Sequence, residues 1–212
     1  MRERGDDIRG IVFDLDGTLY VSPSFASAIQ ETAAHYIAGI KTIELDDACR
    51  LMNEIRSNLI QEHGETPTLS AVCSVLGGNI RDLHTHFQTH LQPEAHLKRD
   101  LRVITLLENL IKKYSLYLFT NNNRALTNRI IDRLGLNSMF KHIYTIDDTW
   151  KSKPDDSMLD LILTQTGLQP SQALFVGDRY DVDLRLPEKR GCPVLLTQNI
   201  EQLLRLGELL KD

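Results

Sequence analysis

The stretch IVFDLDGTLY, residues 11–20, decides how the rest of the chain is interpreted. A short apolar run leads directly into Asp14 and Asp16, and Gly17 and Thr18 follow at once. Two carboxylates about 5 Å apart at an effective dielectric of about 20 repel each other by roughly 3 kcal/mol. A buried strand that ends on two such groups therefore predicts a site where something offsets their charge.

The second half of the chain alternates between strand and helix patterns. Short apolar runs separated by segments of helical periodicity predict four strands, at 115–120, 142–146, 173–177 and 193–197. This alternation is typical of right-handed βαβ units and of a parallel sheet, to which the run at 8–15 also belongs. The predicted fold class is α/β, a Rossmann-like three-layer core with a parallel sheet.

Residues 21–97 contain no convincing strand and have helical patterns throughout. Ser22 and Pro23 predict the start of a first helix, Gly64 predicts the end of a second, and Thr66 with Pro67 repeats the cap-plus-proline start. We therefore expect a helical cap domain at 21–97, inserted after the first strand of a catalytic core formed by 1–20 and 98–212.

Polar residues follow four of the five predicted strands. The carboxyl ends of parallel strands meet at one edge of the sheet, where ligands of such folds bind. Three carboxylates there are too many for one lysine to offset, whereas Mg²⁺ takes oxygen ligands and phosphate together. A carboxylate nucleophile with a second carboxylate as acid and base would suit phosphoryl transfer. The candidates are Asp14 and Asp16, Thr120 and Asn121, Lys151 and Lys153, and Asp178, Asp181 and Asp183.

Four segments, in this order and at these strand ends, resemble the motifs of the haloacid dehalogenase (HAD) superfamily. They are DLDGTL at 14–19, FTN at 119–121, KP at 153–154 and GDRYDVD at 177–183. The inserted helices resemble the C1 cap of that superfamily. The resemblance implies an enzyme, a Mg²⁺-dependent phosphohydrolase that cleaves a small phosphomonoester through an aspartyl-phosphate intermediate.

The resemblance also implies roles for the matching residues. It implies that Asp14 is the nucleophile and a Mg²⁺ ligand, and that Asp16 is the general acid and base with its backbone carbonyl on the metal. It implies that Thr120 and Lys153 hold the phosphoryl group and the nucleophile. Asp178 would be a metal ligand.

Further residues complete the predicted site. Asn121 and Gly17 are expected to contribute to phosphate binding. Asp183 is the candidate for the outer shell of the metal, ahead of Asp181. Lys151 is an alternative to Lys153, but the position next to proline matches the motif better.

The substrate is the least determined part of the prediction. The DGTLY start and the short cap resemble the pyrimidine 5′-nucleotidase-like branch, which implies a nucleoside 5′-monophosphate. Phosphoglycolate or a sugar phosphate is the alternative, ahead of a phosphomutase or a non-catalytic binding module. A haloacid dehalogenase lacks the second aspartate of the first motif, so Asp16 argues against that activity.

Composition excludes several other classes of protein. The formal net charge of −5, with no strongly basic window, disfavours a nucleic acid polymer as partner. Three cysteines without CxxC spacing favour a reducing compartment, and no apolar stretch is long enough to span a membrane. We expect a cytoplasmic enzyme that acts on a small phosphorylated metabolite. The sequence does not indicate the oligomeric state.

A histidine-rich segment offers a competing site. His86 and His90 have the i, i+4 spacing that can chelate a metal, and His84 lies nearby. Because there is no HExxH pattern and no evident third ligand, we expect these histidines to lie on a solvated helix face. Trp150, beside the candidate lysines, is expected to pack rather than to cover the site.

Overall fold

Five parallel strands form one sheet in the computed structural model, which describes residues 8–210. The strand order is β3-β2-β1-β4-β5. This sheet, with helices packed around it, confirms the predicted α/β, Rossmann-like class. The strands are β1 (Gly10–Phe13), β2 (Ser115–Phe119), β3 (His142–Tyr144), β4 (Ala173–Gly177) and β5 (Val194–Leu196).

Strand β1 is central, paired with β2 on one side and β4 on the other. Its four residues are buried, with Ile11 and Phe13 in one apolar cluster and Val12 in a second. Near-continuous apolar character is what a strand covered on both faces requires. The strand is shorter than the predicted run at 8–15, so Asp14 follows it directly.

The helical insertion consists of five helices, and no strand forms between Pro23 and His96, a range that the structure describes fully. Its interior belongs to the same apolar cluster as Ile11 and Phe13 of the sheet. The helices are α1 (Pro23–Lys41), α2 (Leu45–His63), α3 (Leu69–Val75), α4 (Ile80–His90) and α5 (Pro93–His96). The division into a cap at 21–97 and a core on either side stays a prediction.

The helix ends in the insertion follow local capping chemistry. The Ser22 hydroxyl accepts a hydrogen bond from the Phe25 amide at 3.2 Å, and Gly64 ends α2 with φ 73°. The predicted start of α3 at Thr66 and Pro67 is wrong by two residues. Thr68 is the N-cap instead, because its hydroxyl accepts from the Ala71 amide at 3.2 Å.

Helices α6–α11 belong to the predicted core. The helix after Pro154 begins at Asp156, because Asp155 caps it by accepting from the Met158 amide at 3.0 Å. No helix among residues 8–210 has the length and apolar character needed to cross a membrane. The helices are α6 (Leu101–Leu110), α7 (Arg124–Leu134), α8 (Asp156–Thr166), α9 (Arg185–Lys189), α10 (Ile200–Leu204) and α11 (Leu206–Leu209).

Candidate active site

The carboxyl ends of β1, β2 and β4 meet at one edge of the sheet, as the alternation of elements predicts. Asp14 comes directly after β1, and its backbone amide donates to the carbonyl of Val176 in β4 at 2.8 Å. Asp14 therefore lies where the carboxyl ends of β1 and β4 meet. It is only 7 % exposed.

Lys153 reaches this edge from the segment between β3 and α8. Its ammonium lies 2.5 Å from Asp14 Oδ1, 2.7 Å from Asp183 Oδ1 and 3.0 Å from the Phe119 carbonyl oxygen. These are as many acceptors as the ammonium has hydrogens. Burial opposes the charge on Lys153, but the two carboxylates outweigh it and raise the lysine pKa.

Lys151, the alternative lysine, lies outside this cluster. Its side chain is 60 % exposed and forms an ion pair with Asp155 at 3.6 Å. The position next to Pro154 is therefore the one that reaches the strand ends. The backbone amide of Lys153 also donates to Asn121 Oδ1 at 2.8 Å, which fixes the lysine segment to the residue after β2.

Both oxygens of Asp14 are engaged. The Thr18 hydroxyl donates to Oδ2 at 3.1 Å, and Lys153 holds Oδ1. Burial, aided by nearby carboxylates, outweighs the attraction of Lys153 and raises the pKa of Asp14 to about 7. The cluster thus carries more negative charge than Lys153 alone compensates.

Asp16 lies across from Asp14 and has its own partners. Asn122 Nδ2 donates to Oδ2 at 2.7 Å, the Tyr20 hydroxyl donates to Oδ1, and the Thr120 hydroxyl lies 3.5 Å from Oδ2. Burial nevertheless raises the pKa of Asp16. A carboxyl group with a raised pKa keeps its proton to a higher pH than an ordinary aspartic acid, as suits a general acid.

Asp183, the outer-shell candidate, is the second partner of Lys153. It is 5 % exposed and accepts from the Arg179 amide at 3.1 Å. Burial would raise its pKa, but Lys153 and Arg179 together lower it. Asp181 is separate from the cluster: its side chain is 45 % exposed and lies 4.0 Å from Arg185.

Asp178 completes an acidic cluster. One carboxylate oxygen each from Asp14, Asp178 and Asp183 lies within 4.8 Å of the others. Burial, followed by the charge of Asp183, raises the pKa of Asp178 to about 6. Its Oδ1 is buried and has no hydrogen-bond partner among the described residues. An unpartnered buried oxygen and mutual repulsion are both relieved by a hard dication with oxygen ligands, so the cluster suits Mg²⁺.

Two glycines make the close approach of these acids possible. Gly17 has φ 90°, and a Cβ on it would overlap the carboxylate of Asp178. A Cβ on Gly177 would lie 2.5 Å from the Cβ of Asp183. Gly17 therefore makes room for an acid, which is a different contribution from the predicted phosphate contact.

Sequence reasoning missed three partners of the two leading aspartates: Thr18, Tyr20 and Asn122. Thr18 and Tyr20 each lie four residues after the aspartate that they contact, so the tight turn of the first motif brings them back. Asn122 follows the predicted pair Thr120 and Asn121, and its amide also donates to the Thr120 hydroxyl at 3.1 Å. The run of asparagines after β2 was the available signal.

A cleft of about 390 Å³ separates this edge of the sheet from the helical insertion. Its core side includes Asp16, Asn121, Asn122, Asp178 and Arg179. Its opposite side is mostly apolar and comes from α1, α3 and α4, with Phe25, Ile29, Leu69, Ser70, His84 and Phe87.

The prediction that the histidines lie on a solvated face is wrong for His84. This side chain is 2 % exposed because it points into the contact between α4 and the core, with its ring 6.5 Å from that of Trp150. His86 is partly buried and His90 is exposed, and their rings lie 4.0 Å apart. Trp150 packs against His84 and beneath the Arg81 guanidinium, 5.1 Å from the ring centroid.

A parallel sheet with acids and a buried lysine at its carboxyl edge, covered by a helical insertion, defines a hydrolase of the phosphatase type. Residues 11–197 match the family described as haloacid dehalogenase-like hydrolase. The chain belongs to this family, which confirms the predicted superfamily.

Curated relatives are named as phosphatases. The chain is 26 % identical over 203 residues to a phosphoglycolate phosphatase of Shigella boydii, covering 89 % of this chain and 80 % of the relative. It is also 26 % identical over 192 residues to a glyceraldehyde 3-phosphate phosphatase of Methanocaldococcus jannaschii, covering 87 % and 82 %. The predicted enzyme class, a HAD-type phosphatase, is confirmed. The relatives fit the alternative substrate prediction better than the nucleotidase branch.

Solved structures share the fold. The HAD-hydrolase YfnB of Bacillus subtilis superposes with a TM-score of 0.65 at 20 % identity, covering 98 % of this chain and 100 % of the other. A HAD phosphatase of Thermococcus onnurineus gives 0.63 at 18 % identity, covering 96 % and 98 %. At these identities the likeness establishes the fold alone.

Proposed function

We propose that the protein is a Mg²⁺-dependent phosphohydrolase that removes phosphate from a small phosphomonoester through an aspartyl-phosphate on Asp14. The observation that carries this proposal is the buried cluster in which Lys153 holds Asp14 and Asp183 while Asp178 keeps an unpartnered oxygen. Such a cluster has a nucleophile, a fixed cation and ligands for a hard metal ion in one place.

Asp14 is the nucleophile in this proposal. Its carboxylate is oriented from both sides, by Lys153 on Oδ1 and by Thr18 on Oδ2. An oxygen of Asp14 attacks phosphorus, the bond from phosphorus to the ester oxygen breaks, and an acyl-phosphate forms. Orientation of the attacking group in advance is a large part of the rate gain in such a reaction.

Asp16 moves the protons in both half-reactions. In the first, it gives its proton to the leaving ester oxygen. In the second, it takes a proton from water as the water oxygen bonds to phosphorus and Asp14 is released. Its raised pKa suits the role of proton donor, and its hydrogen bonds from Tyr20 and Asn122 orient the carboxyl group.

Asp14, Asp178 and the backbone carbonyl of Asp16 would hold Mg²⁺, with Asp183 adjacent. The ion supplies positive charge to the phosphoryl oxygens and to the surrounding carboxylates when it is bound. Asp183 also positions Lys153, so its contribution combines charge balance with placement of the lysine.

The phosphoryl oxygens need donors that the protein has not already used. Lys153 already has three acceptors, which makes it a support for Asp14 more than a direct phosphate ligand. The side-chain amide of Asn121 is better suited, because its oxygen holds the Lys153 segment and its nitrogen has no acceptor among the described residues. The Thr120 hydroxyl lies beside it.

Phosphoglycolate or a small sugar phosphate is the proposed substrate class. The two named relatives support this class, and neither acts by name on a nucleotide. The cleft of about 390 Å³ is within the usual size range for small-molecule sites.

The test is phosphate release from a panel of phosphorylated metabolites and p-nitrophenyl phosphate, measured with Mg²⁺ and with EDTA. We expect release from at least one small phosphomonoester, lost with EDTA and in Asp14→Asn. Asp181→Asn is the matched control, because this acid belongs to the same motif as Asp178 but lies outside the cluster. Mg²⁺-independent release, or full activity in Asp14→Asn, would contradict the proposal.

A further inference from the structure

We propose that His84 and Ser70 form a hydrogen-bonding site for an uncharged, hydroxylated leaving group. The enzyme would then prefer phosphomonoesters of the polyol or triose type over those that carry a carboxylate. This inference rests on the proposed phosphatase function and narrows its substrate class.

His84 is a buried polar side chain with an unused hydrogen-bonding atom. It is 2 % exposed and lines the cleft together with Asp16, the proposed acid. Its Nε2 lies 3.5 Å from the Ser70 hydroxyl, whereas its Nδ1 has no partner among the described residues. A buried nitrogen without a partner is unfavourable, and a ligand hydroxyl that entered the cleft and reached Nδ1 would satisfy it.

The position of His84 is fixed relative to the reacting groups. Asn123 Nδ2 donates to the His84 carbonyl oxygen at 2.7 Å, and Asn123 is the neighbour of Asn122, which binds Asp16. The imidazole ring also packs edge-on against Phe87, with centroids 5.5 Å apart. Through the adjacent residues Asn123 and Asn122, which follow β2, His84 on α4 is therefore held in a fixed position relative to Asp16.

The charge of the cleft decides between a hydroxyl and a carboxylate. Burial lowers the pKa of His84 to about 4, so the ring is neutral at neutral pH and offers hydrogen bonds without positive charge. Within the part of the chain that the structure describes, Arg179 is the one lysine or arginine in the lining. Arg179 is 45 % exposed and faces Asp178 at 3.9 Å. A carboxylate on the leaving group would find one partly exposed cation in the lining, Arg179, whereas a hydroxyl needs no counter-charge and can bond to the neutral ring.

Glycerol 3-phosphate and 3-phosphoglycerate provide a matched test, since they differ in a terminal hydroxymethyl or carboxylate group. We expect kcat/KM of the wild type to be at least tenfold higher for glycerol 3-phosphate. His84→Phe keeps an aromatic ring and removes both nitrogens. It should lower kcat/KM for glycerol 3-phosphate by about 10- to 100-fold, the effect of losing one buried hydrogen bond.

Three controls separate recognition from folding. p-Nitrophenyl phosphate has no hydroxyl on its leaving group, so its hydrolysis by His84→Phe should stay within about threefold of the wild type, in line with small effects away from contacts. His84→Asn, which keeps a donor and an acceptor, should recover part of the loss. His86→Phe makes the same substitution two residues away and outside the cleft lining. It should leave kcat/KM unchanged for glycerol 3-phosphate and for p-nitrophenyl phosphate.

Each outcome is decisive. The inference would be overturned if the wild type preferred 3-phosphoglycerate, or if His84→Phe lost the same activity on all substrates. Either result would leave the phosphatase function in place. Failure of the wild type to release phosphate from these three compounds and from every member of the metabolite panel would overturn the proposed function itself. Selective loss on glycerol 3-phosphate would support both.

Discussion

The sheet edge and the helical insertion, which face each other across the cleft, are built from opposite kinds of residues. On the side of the sheet, Asp14, Lys153 and Asp183 are charged, at most 7 % exposed, and joined to one another by ion pairs. On the side of the insertion, His84 and Phe87 are equally buried but neutral, and apolar groups surround them. In the proposed function, the chemistry at phosphorus depends on charged groups at strand ends, while recognition of the leaving group depends on neutral groups from helices.

This difference has a consequence for substitutions. A change on the sheet side leaves a buried charge without its partner and should affect every substrate and the stability of the fold. A change on the helical side removes a neutral contact and should affect substrates unequally.

Asp14→Asn should lower kcat for every phosphomonoester by about three orders of magnitude or more, because the amide is a poor nucleophile. The fold should persist, since Lys153 keeps Asp183 and the Phe119 carbonyl as acceptors. Steady-state kinetics with circular dichroism checks both parts. Loss of activity on one substrate only would contradict the expectation that a change on the sheet side affects every substrate.

Lys153→Met should destabilise the protein by about 3–5 kcal/mol, because it leaves the carboxylates of Asp14 and Asp183 buried without a counter-charge. Urea unfolding measures this. The matched control is Lys151→Met, two residues away with a side chain 60 % exposed, which should change stability by no more than about 0.5 kcal/mol. Equal effects of the two substitutions would contradict the assignment of Lys153 to the buried cluster.

The sheet side was predictable from the sequence and the helical side was not. Asp14 and Asp178 directly follow apolar runs, so strand order alone brings them to one edge, and Lys153 is joined to that edge through Asn121. Their proposed catalytic roles remain predictions. His84 is one of three histidines in a mostly polar segment, and its burial arises from contacts with Trp150 and Asn123. Such contacts depend on how the insertion packs on the core, which no local pattern specifies.

The boundaries of elements show the same limit on a smaller scale. The strand predicted at 173–177 has those bounds in the structure, because both of its faces are buried and the apolar run ends where the sheet ends. The start of α3 was misplaced because two threonines two residues apart can both cap a helix, and Thr68 forms the hydrogen bond. Hydrogen-bond competition between similar residues is not visible in a pattern of polarity.

Lowering the pH should destabilise the fold through His84, on the helical side of the cleft. Its folded-state pKa is lowered to about 4 by burial, below its ordinary value of 6.5, so the unfolded chain takes up the proton first as pH falls. The stability that this group contributes is complete above about pH 6.5 and declines down to about pH 4, by up to about 3 kcal/mol. The difference in unfolding free energy between the wild type and His84→Phe, measured from pH 7 to 4, isolates this contribution from that of the acids. A constant difference would contradict it.

The smallest effect is expected where the two sides join at the surface. Glu65, between α2 and α3, pairs with Arg185 at the start of α9, and both side chains are more than one third exposed. Glu65→Gln should reduce stability by about 0.5–1 kcal/mol at low salt and less at high salt. Glu62→Gln, an exposed change in the neighbouring helix, is the control. Loss of activity in Glu65→Gln without this salt dependence would argue for a direct role in the cleft.

The three acceptors around Lys153 also determine its chemical reactivity. A reagent that methylates amines needs a free, deprotonated nitrogen, and the Lys153 nitrogen is 2 % exposed, charged and enclosed by Asp14, Asp183 and Phe119. The exposed amine of Lys151 should be labelled in the folded enzyme, whereas that of Lys153 should not. Labelling of Lys153, detected by mass spectrometry, would therefore report molecules in which the carboxyl edge of the sheet is locally unfolded. The ratio of labelling at Lys153 to that at Lys151 measures their fraction.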